Sequence, residues 1–246
     1  MMELDLIAFL LFFLIAAHYS SVGHAGASGY LAVMALLSFA PEAIKPTSLA
    51  LNIAVSGIAS WRYVRAGLFD AKVFWPLAII ALPMAYLGGA LQLPTPIFKL
   101  IAGAFLVLAA GLMAWRALAK PADGETRKMP WGVMAVAALP IGLLSGIIGV
   151  GGGIFLSPIL IVGRYAAVRR VSGIAALFIF INSIAGLLGQ FSSQTELDPF
   201  LPWWLLAVVA GAFIGTHFGV SRFGARAILV VLFIVLLAAG VKFLAV

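Results

Sequence analysis

Gly23-His-Ala-Gly-Ala-Ser-Gly29 and Gly146-Ile-Ile-Gly-Val-Gly-Gly-Gly153 are the two stretches whose reading decides the fold. Each stands directly before an apolar run, at 28–40 and at 152–163, that holds only 13 and 12 residues. At 1.5 Å per residue such runs reach about 20 Å, against a bilayer core of roughly 30 Å. Neither crosses a membrane alone. Glycine lets a chain turn where other residues would be strained, so both sites read as helices broken inside the bilayer.

Outward from these breaks the chain is apolar almost throughout. Of 246 residues 64% are hydrophobic and 9% are charged, which excludes a soluble domain. Apolar runs bounded by charges, glycine clusters and prolines fall at 4–19, 28–40, 46–64, 72–92, 96–117, 130–148, 152–163, 168–190, 200–220 and 225–245. The expectation is an all-α polytopic membrane protein, with a first repeat over 1–118, a cytoplasmic linker over 119–129 and a second repeat over 130–246. No cysteine is present, so disulfides and thiolate metal sites are excluded. The acidic start, Met-Met-Glu-Leu-Asp, lacks the basic region of a signal peptide, and the first run is expected to be retained.

The net charge of +7 is a topology signal rather than a nucleic-acid footprint, because the basic residues lie in short loops and at span ends. If all ten segments alternate, or each short one forms a re-entrant hairpin with its predecessor, one face gathers Arg62, Arg65, Lys72, Arg116, Lys120, Arg127, Lys128, Arg164, Arg169, Arg170, Arg222 and Arg226. The other keeps Lys45, Lys99 and Lys242. Merging each short segment with its predecessor would spread the charges almost evenly. Basic residues favour the cytoplasm, so the first arrangement is expected, with both termini facing outward.

The halves also resemble each other. Gly23, Gly26 and Gly29 recur 123 residues later as Gly146, Gly149 and Gly152, and Ala43-Ile-Lys45 with Ser48 recurs as Ala167-Val-Arg169 with Ser172. Five segments per half is an odd number, so the second copy would enter the bilayer upside down. That predicts two inverted repeats, an architecture of many secondary transporters.

All eight acidic residues fall in loops or at the chain start. An intramembrane carboxylate is the usual carrier of protons or metal cations, so a neutral or anionic substrate is expected, with no metal and no cofactor. The paired glycine turns point to the binding site, since the helix following each offers unpaired amides at the positive end of its dipole. Gly26, His24, Ser28 and Gly29 from the first turn and Gly149, Gly151, Gly152 and Gly153 from the second are the candidates. Ser48, Asn52, Ser172, Asn182 and Ser183 on the third and eighth segments add neutral donors. Lys45 and Arg169 are candidate vestibule charges at the two mouths. Close helix packing also uses glycine and small polar residues, and is the alternative explanation for each. Gly26-Ala-Ser-Gly29 with His217 further matches the pattern of a rhomboid-like intramembrane serine protease, but Ser28 lies too early in the chain and the second copy has no serine.

Gly149-Val-Gly-Gly-Gly153 with Ile-Phe-Leu-Ser-Pro158, then Arg169, Ser172 and Asn182-Ser-Ile-Ala-Gly186, is similar to the second-half signature of the sulfite exporter TauE/SafE-like permeases. The first half resembles them more loosely, through Gly23 to Gly29, Lys45-Pro-Thr-Ser48 and the basic exit at Arg62 and Arg65. His24 and Ser28 stand where members usually show further glycine. The resemblance covers essentially the whole chain. It implies a non-enzymatic permease of the bacterial inner membrane, moving small sulfur-containing anions such as sulfite, thiosulfate or organosulfonates. An anion channel is the alternative. The partners expected are the anion and the lipid bilayer, with no nucleic acid, and a homo-oligomer is left open.

Overall fold

The computed structural model describes residues 2–21, 23–118, 126–192, 197–220 and 226–245. Lys120, Asp123, Glu125, Glu196 and Arg222, with most of the expected 119–129 linker, lie outside the described residues. Among the described residues ten helices follow one another: α1 (Met2–Ser21), α2 (Ala27–Leu36), α3 (Pro41–Arg65), α4 (Ala71–Ala90), α5 (Thr95–Leu118), α6 (Trp131–Ile148), α7 (Gly153–Val162), α8 (Val168–Phe191), α9 (Leu201–Val220) and α10 (Arg226–Leu244). Among the described residues there is no strand. Among the described residues four stretches are by themselves long and apolar enough to cross a membrane: Ala71–Ala90, Thr95–Leu112, Trp131–Ile148 and Arg169–Phe191. The two short helices have 10 residues each and rise only about 15 Å. Large apolar side chains point away from the protein, including Trp131, Val136 and Ile79, as a lipid-facing surface requires.

One boundary differs from the sequence reading in a way that bears on the site. The expected segment at 46–64 begins five residues earlier, at Pro41, whose missing amide costs nothing at the first helical position. Lys45 therefore lies inside α3, not ahead of it.

Polar contacts show which helix ends lie together. At one end Arg62 of α3 donates to the carbonyl of Phe213 on α9 (3.2 Å), Asp70 before α4 pairs with Arg170 of α8 (3.6 Å), and the Arg127 amide donates to the carbonyl of Arg164 (2.8 Å). At the opposite end Lys242 of α10 donates to the carbonyl of Leu36 and the hydroxyl of Ser38, both at 2.9 Å. There too the start of α3, the end of α4, the start of α5 and the end of α8 bound one cavity. Successive helices thus alternate in direction. Helices α1 and α2 form one hairpin that enters and leaves at the Lys242 end, and α6 and α7 form another at the Arg62 end. Arg62, Arg65, Lys72, Arg127, Lys128, Arg164, Arg169 and Arg170 collect at one end, and Lys45, Lys99 and Lys242 at the other. Trp61, Trp75 and Trp131, all exposed, ring the arginine-rich end, where amphipathic aromatics suit a membrane interface.

Exchanging the halves maps the helix pairing onto itself. Helix α1 packs along α9 as α6 packs along α4, and α3 packs on α9 as α8 packs on α4, while α3–α8 and α5–α10 each join a helix to its own counterpart. Both of those last pairs run antiparallel. The register between halves is visible in the backbone. Positive φ occurs at Gly23, Gly26 and Ser38, and again at Gly149, Gly152 and Arg164, always 126 residues apart. The offset of 123 expected from the glycines is therefore corrected by three residues. Matching letters misled because Gly29 and Gly146 are packing glycines inside or beside helices, whereas Gly23 and Gly149 are the true turn equivalents. Likewise the helix-entry residues Ala40 and Ala167, with φ −58° and −59°, pair Lys45 with Ser172 rather than with Arg169.

The close packing of α4 on α6 and α8 is made by glycine. A Cβ on Gly146 would lie 2.1 Å from the Ala85 carbonyl, and one on Gly89 2.0 Å from that of Gly186. Gly111 faces open space. Gly146→Ala is expected to cost about 1–3 kcal/mol by forcing α4 and α6 apart, whereas Gly111→Ala leaves stability unchanged or raises it by up to about 1 kcal/mol. Thermal unfolding of the two variants in detergent measures the difference.

Candidate functional site

Each broken hairpin is held open by glycines in the left-handed region, where a side chain would be strained. Gly23 (φ 78°) and Gly26 (φ 99°) bracket the first turn, and Gly149 (φ 85°), Gly151 (φ 70°) and Gly152 (φ 79°) form the second. The turns also interlock the halves. A Cβ on Gly23 would lie 2.4 Å from Cβ of Ser172 on α8, and one on Gly149 would lie 2.9 Å from the Lys45 carbonyl on α3. Ser172 and Lys45 are equivalents in the corrected register, so each turn presses on the third helix of the other half. In the same way Gly26 abuts Ile15 and Gly152 abuts Ile141, again 126 residues apart.

The short helices begin at these turns with Gly26 and Gly152 as N-caps, and no side chain caps either N-terminus. Phe155 N–H already donates to the Gly152 carbonyl at 3.2 Å, and the amides that precede it, like those at the start of α2, lie at the positive end of the helix dipole. A small void is lined by Tyr19, His24, Ala25, Gly26, Ala27 and Ser28 at the start of α2, by Val150 and Ile154 beside the start of α7, and by Phe105 and Ile179. Its volume is about 10 Å³, room for one water molecule. A second void of the same size lies on the other side of His24, against Leu112, Trp115, Ser157 and Pro158. His24 separates the two. Its Nε2 is 3.1 Å from the Ser157 hydroxyl, which itself donates to the Gly153 carbonyl at 3.0 Å, so a hydrogen-bonded chain links the first turn to α7. Ser28 is buried, its hydroxyl 2.8 Å from that of Tyr19. Gly29, inside α2, packs on Ile15.

Ser48, Asn52 and Asn182 on α3 and α8 are fully buried, and their donors are already committed. Ser48 Oγ donates to the Gly149 carbonyl at 2.8 Å and Asn52 Nδ2 to the same oxygen at 3.2 Å, capping the end of α6. Asn182 Nδ2 donates to Phe178 at 2.8 Å, one turn back on its own helix. Ser183 Oγ lies 2.9 Å from where a Cβ on Gly151 would be, and Gly153 abuts Ile179 on the same face of α8. Ser172, half-buried, backs the first turn. The structure therefore brings the glycines, His24, Ser28, Ser48, Asn52, Asn182 and Ser183 into one region between the halves.

The two vestibule candidates have different surroundings. Lys45 is buried, and its Nζ donates to the carbonyls of Gly89 (2.7 Å), Leu91 (2.9 Å) and Gly88 (3.4 Å), neutralising the negative end of the α4 dipole. It also borders a cavity of about 460 Å³ with Gln92, Thr95 and Phe98. Arg169 is exposed in the first turn of α8 at the other end. Sequence reasoning missed Tyr19, Tyr30 and Ser157. Tyr30 OH donates to the Ala25 carbonyl at 2.7 Å and bridges the first turn, but a tyrosine in an apolar run carries no pattern that announces this. Ser157 lies in the quoted stretch Ile-Phe-Leu-Ser-Pro158, and only the fold reveals that it reaches His24.

The family model of the sulfite exporter TauE/SafE proteins matches residues 8–243. A probable membrane transporter protein of Sinorhizobium fredii is 39% identical over 235 residues, covering 95% of each chain. Another probable membrane transporter protein, from Methanocaldococcus jannaschii, is 31% identical over 163 residues, covering 63% of this chain and 60% of its own. No solved structure matches.

Ser48 and Asn52 share one acceptor, which makes their energies interdependent. Removing either leaves the Gly149 carbonyl one donor, and removing both leaves it buried without a side-chain partner. Ser48→Ala and Asn52→Leu should each cost about 1 kcal/mol, and the double variant should exceed their sum by about 0.5–3 kcal/mol. A double-mutant cycle on chemical unfolding in detergent reads the excess.

Proposed function

This chain belongs to the sulfite exporter TauE/SafE family of membrane transporters, and on that premise we propose that it carries small sulfur-containing oxyanions, such as sulfite, thiosulfate or organosulfonates, by alternating access. The observation that carries this reading is a void without an acidic side chain, lined by the uncapped start of α2 and by Val150 and Ile154 beside the uncapped start of α7. Backbone amides at positive dipole ends stabilise an oxyanion without burying a fixed charge, which the bilayer would penalise. The site is Gly26 to Gly29 and Gly152 to Ile154, with His24 and Ser28 beside it and the polar residues of α3 and α8 holding the turns in place.

The halves are inverted repeats, a reading supported by the antiparallel course of α3 against α8 and of α5 against α10. The arginine-rich end faces the cytoplasm of a bacterial inner membrane and both termini face outward, as the charge asymmetry favours. On this orientation the 460 Å³ cavity beside Lys45 is the outward vestibule, and the central voids are a closed state with room for one water molecule each. Motion of one hairpin against the other half would enlarge the centre and admit the anion.

A carrier exchanges substrate across the membrane faster than it moves it in one direction, whereas a channel shows no such counterflow. In proteoliposomes, unlabelled sulfite inside should accelerate entry of labelled sulfite by several-fold. Val150→Phe, which fills the central void, should reduce this exchange at least tenfold while the protein still inserts. Gly152→Leu is a less specific probe because its Cβ would lie 2.6 Å from Ile141 at a positive φ. Simple downhill flux without counterflow would favour the channel, and unchanged exchange in Val150→Phe would place the path elsewhere.

A further inference from the structure

The turn between α6 and α7 is flanked by buried oxygens, and the two amide oxygens among them can accept but not donate, which suits a cation and not an anion. Asn52 and Asn182 both spend an amide N–H on a carbonyl, at 3.2 Å and 2.8 Å, which fixes their orientation. What remains is Oδ1 in each case, a hydrogen-bond acceptor, and both are buried without a partner among the described residues. Ser183 Oγ and Ser145 Oγ are buried and unpartnered as well. An unpartnered buried polar atom costs about 1–3 kcal/mol, so four around one turn call for a water or an ion between them. They belong to three elements that meet there. Asn52 on α3 reaches Gly149, Ser183 on α8 stands against Gly151, Asn182 shares the α8 face that carries Ile179 and Ser183, and Ser145 lies in the last turn of α6. The α6 C-terminus ends at the same place and contributes the negative pole of its dipole.

We propose that this cluster binds an alkali cation, sodium or potassium, between α3, α8 and the end of α6. Neutral amide, hydroxyl and backbone carbonyl oxygens are the ligands that hard monovalent cations take at broken membrane helices. Divalent cations would need carboxylates, and among the described residues no group of three acidic, histidine or cysteine side chains could hold a metal. Amides and hydroxyls are also too weakly basic to carry a proton near neutral pH. With Ala40 matched to Ala167, Val55 stands in the first half where the second has Asn182, and Ile179 stands in the second half where the first has Asn52, so neither asparagine is repeated. A cation there would face an anion at the N-termini of the short helices, and its role as a co-transported ion rests on the function proposed above. Its binding does not.

Thermal unfolding of the purified protein, without any sulfur anion, tests the site directly. Sodium or potassium chloride should raise the melting temperature above that in choline chloride of equal ionic strength, by about 5–10 °C at one hundred times Kd. Asn182→Leu and Ser183→Ala should abolish that difference while remaining folded in choline. Equal melting temperatures in all three salts would overturn the proposal. So would variants that melt lower in every salt but keep the cation-dependent difference, since that is the signature of a purely structural role. Transport that proves cation-independent despite saturable binding would overturn the coupling and leave the anion reading intact.

Discussion

The constraint on which the rest of the structure depends is the contact of each glycine turn with the third helix of the opposite half. Gly23 against Ser172 and Gly149 against Lys45 leave no space for a side chain, and each of the two glycines also adopts a left-handed conformation. The same two positions therefore break a helix and dock one half on the other. Breaking the helix leaves the starts of α2 and α7 uncapped, and docking brings the start of α2 and Ile154 of α7 to a common void. A bulkier residue would disturb both effects together, because the turn and the interface are one contact.

Electrostatics at the centre follows from what is missing as much as from what is present. No acidic side chain occurs within the described helices beyond their first turns, so the charges there are the partial charges of helix ends. The N-termini of α2 and α7 supply positive ends, and the C-terminus of α6 supplies a negative one. Lys45 belongs to the scaffold of this arrangement: its ammonium closes the end of α4 and anchors the start of α3, whose next two turns cap α6 through Ser48 and Asn52.

Much of the fold was legible because membrane segments are written in long apolar runs and in the placement of arginine and lysine. All ten helices fall on the runs that the sequence marks, and their alternation gathers the basic residues as the charge count requires. The register between halves was not legible, because Gly29 and Gly146 serve packing and look identical in sequence to the turn glycines. Conformation separates them: Gly23, Gly26, Gly149 and Gly152 have positive φ and the other two do not. The roles of Asn52 and Asn182 were equally hidden. An asparagine in a span can donate or accept, and only the carbonyl that takes its N–H determines which atom is left.

The central claim is that the two short helices present their N-termini to a single anion. Crystals of the protein soaked with selenite, a sulfite analogue with strong anomalous scattering, measure this most directly. The account predicts one buried anomalous peak within hydrogen-bonding distance of first-turn amides of both α2 and α7. Selenium found only beside surface arginines, or only in the cavity next to Lys45, would contradict it.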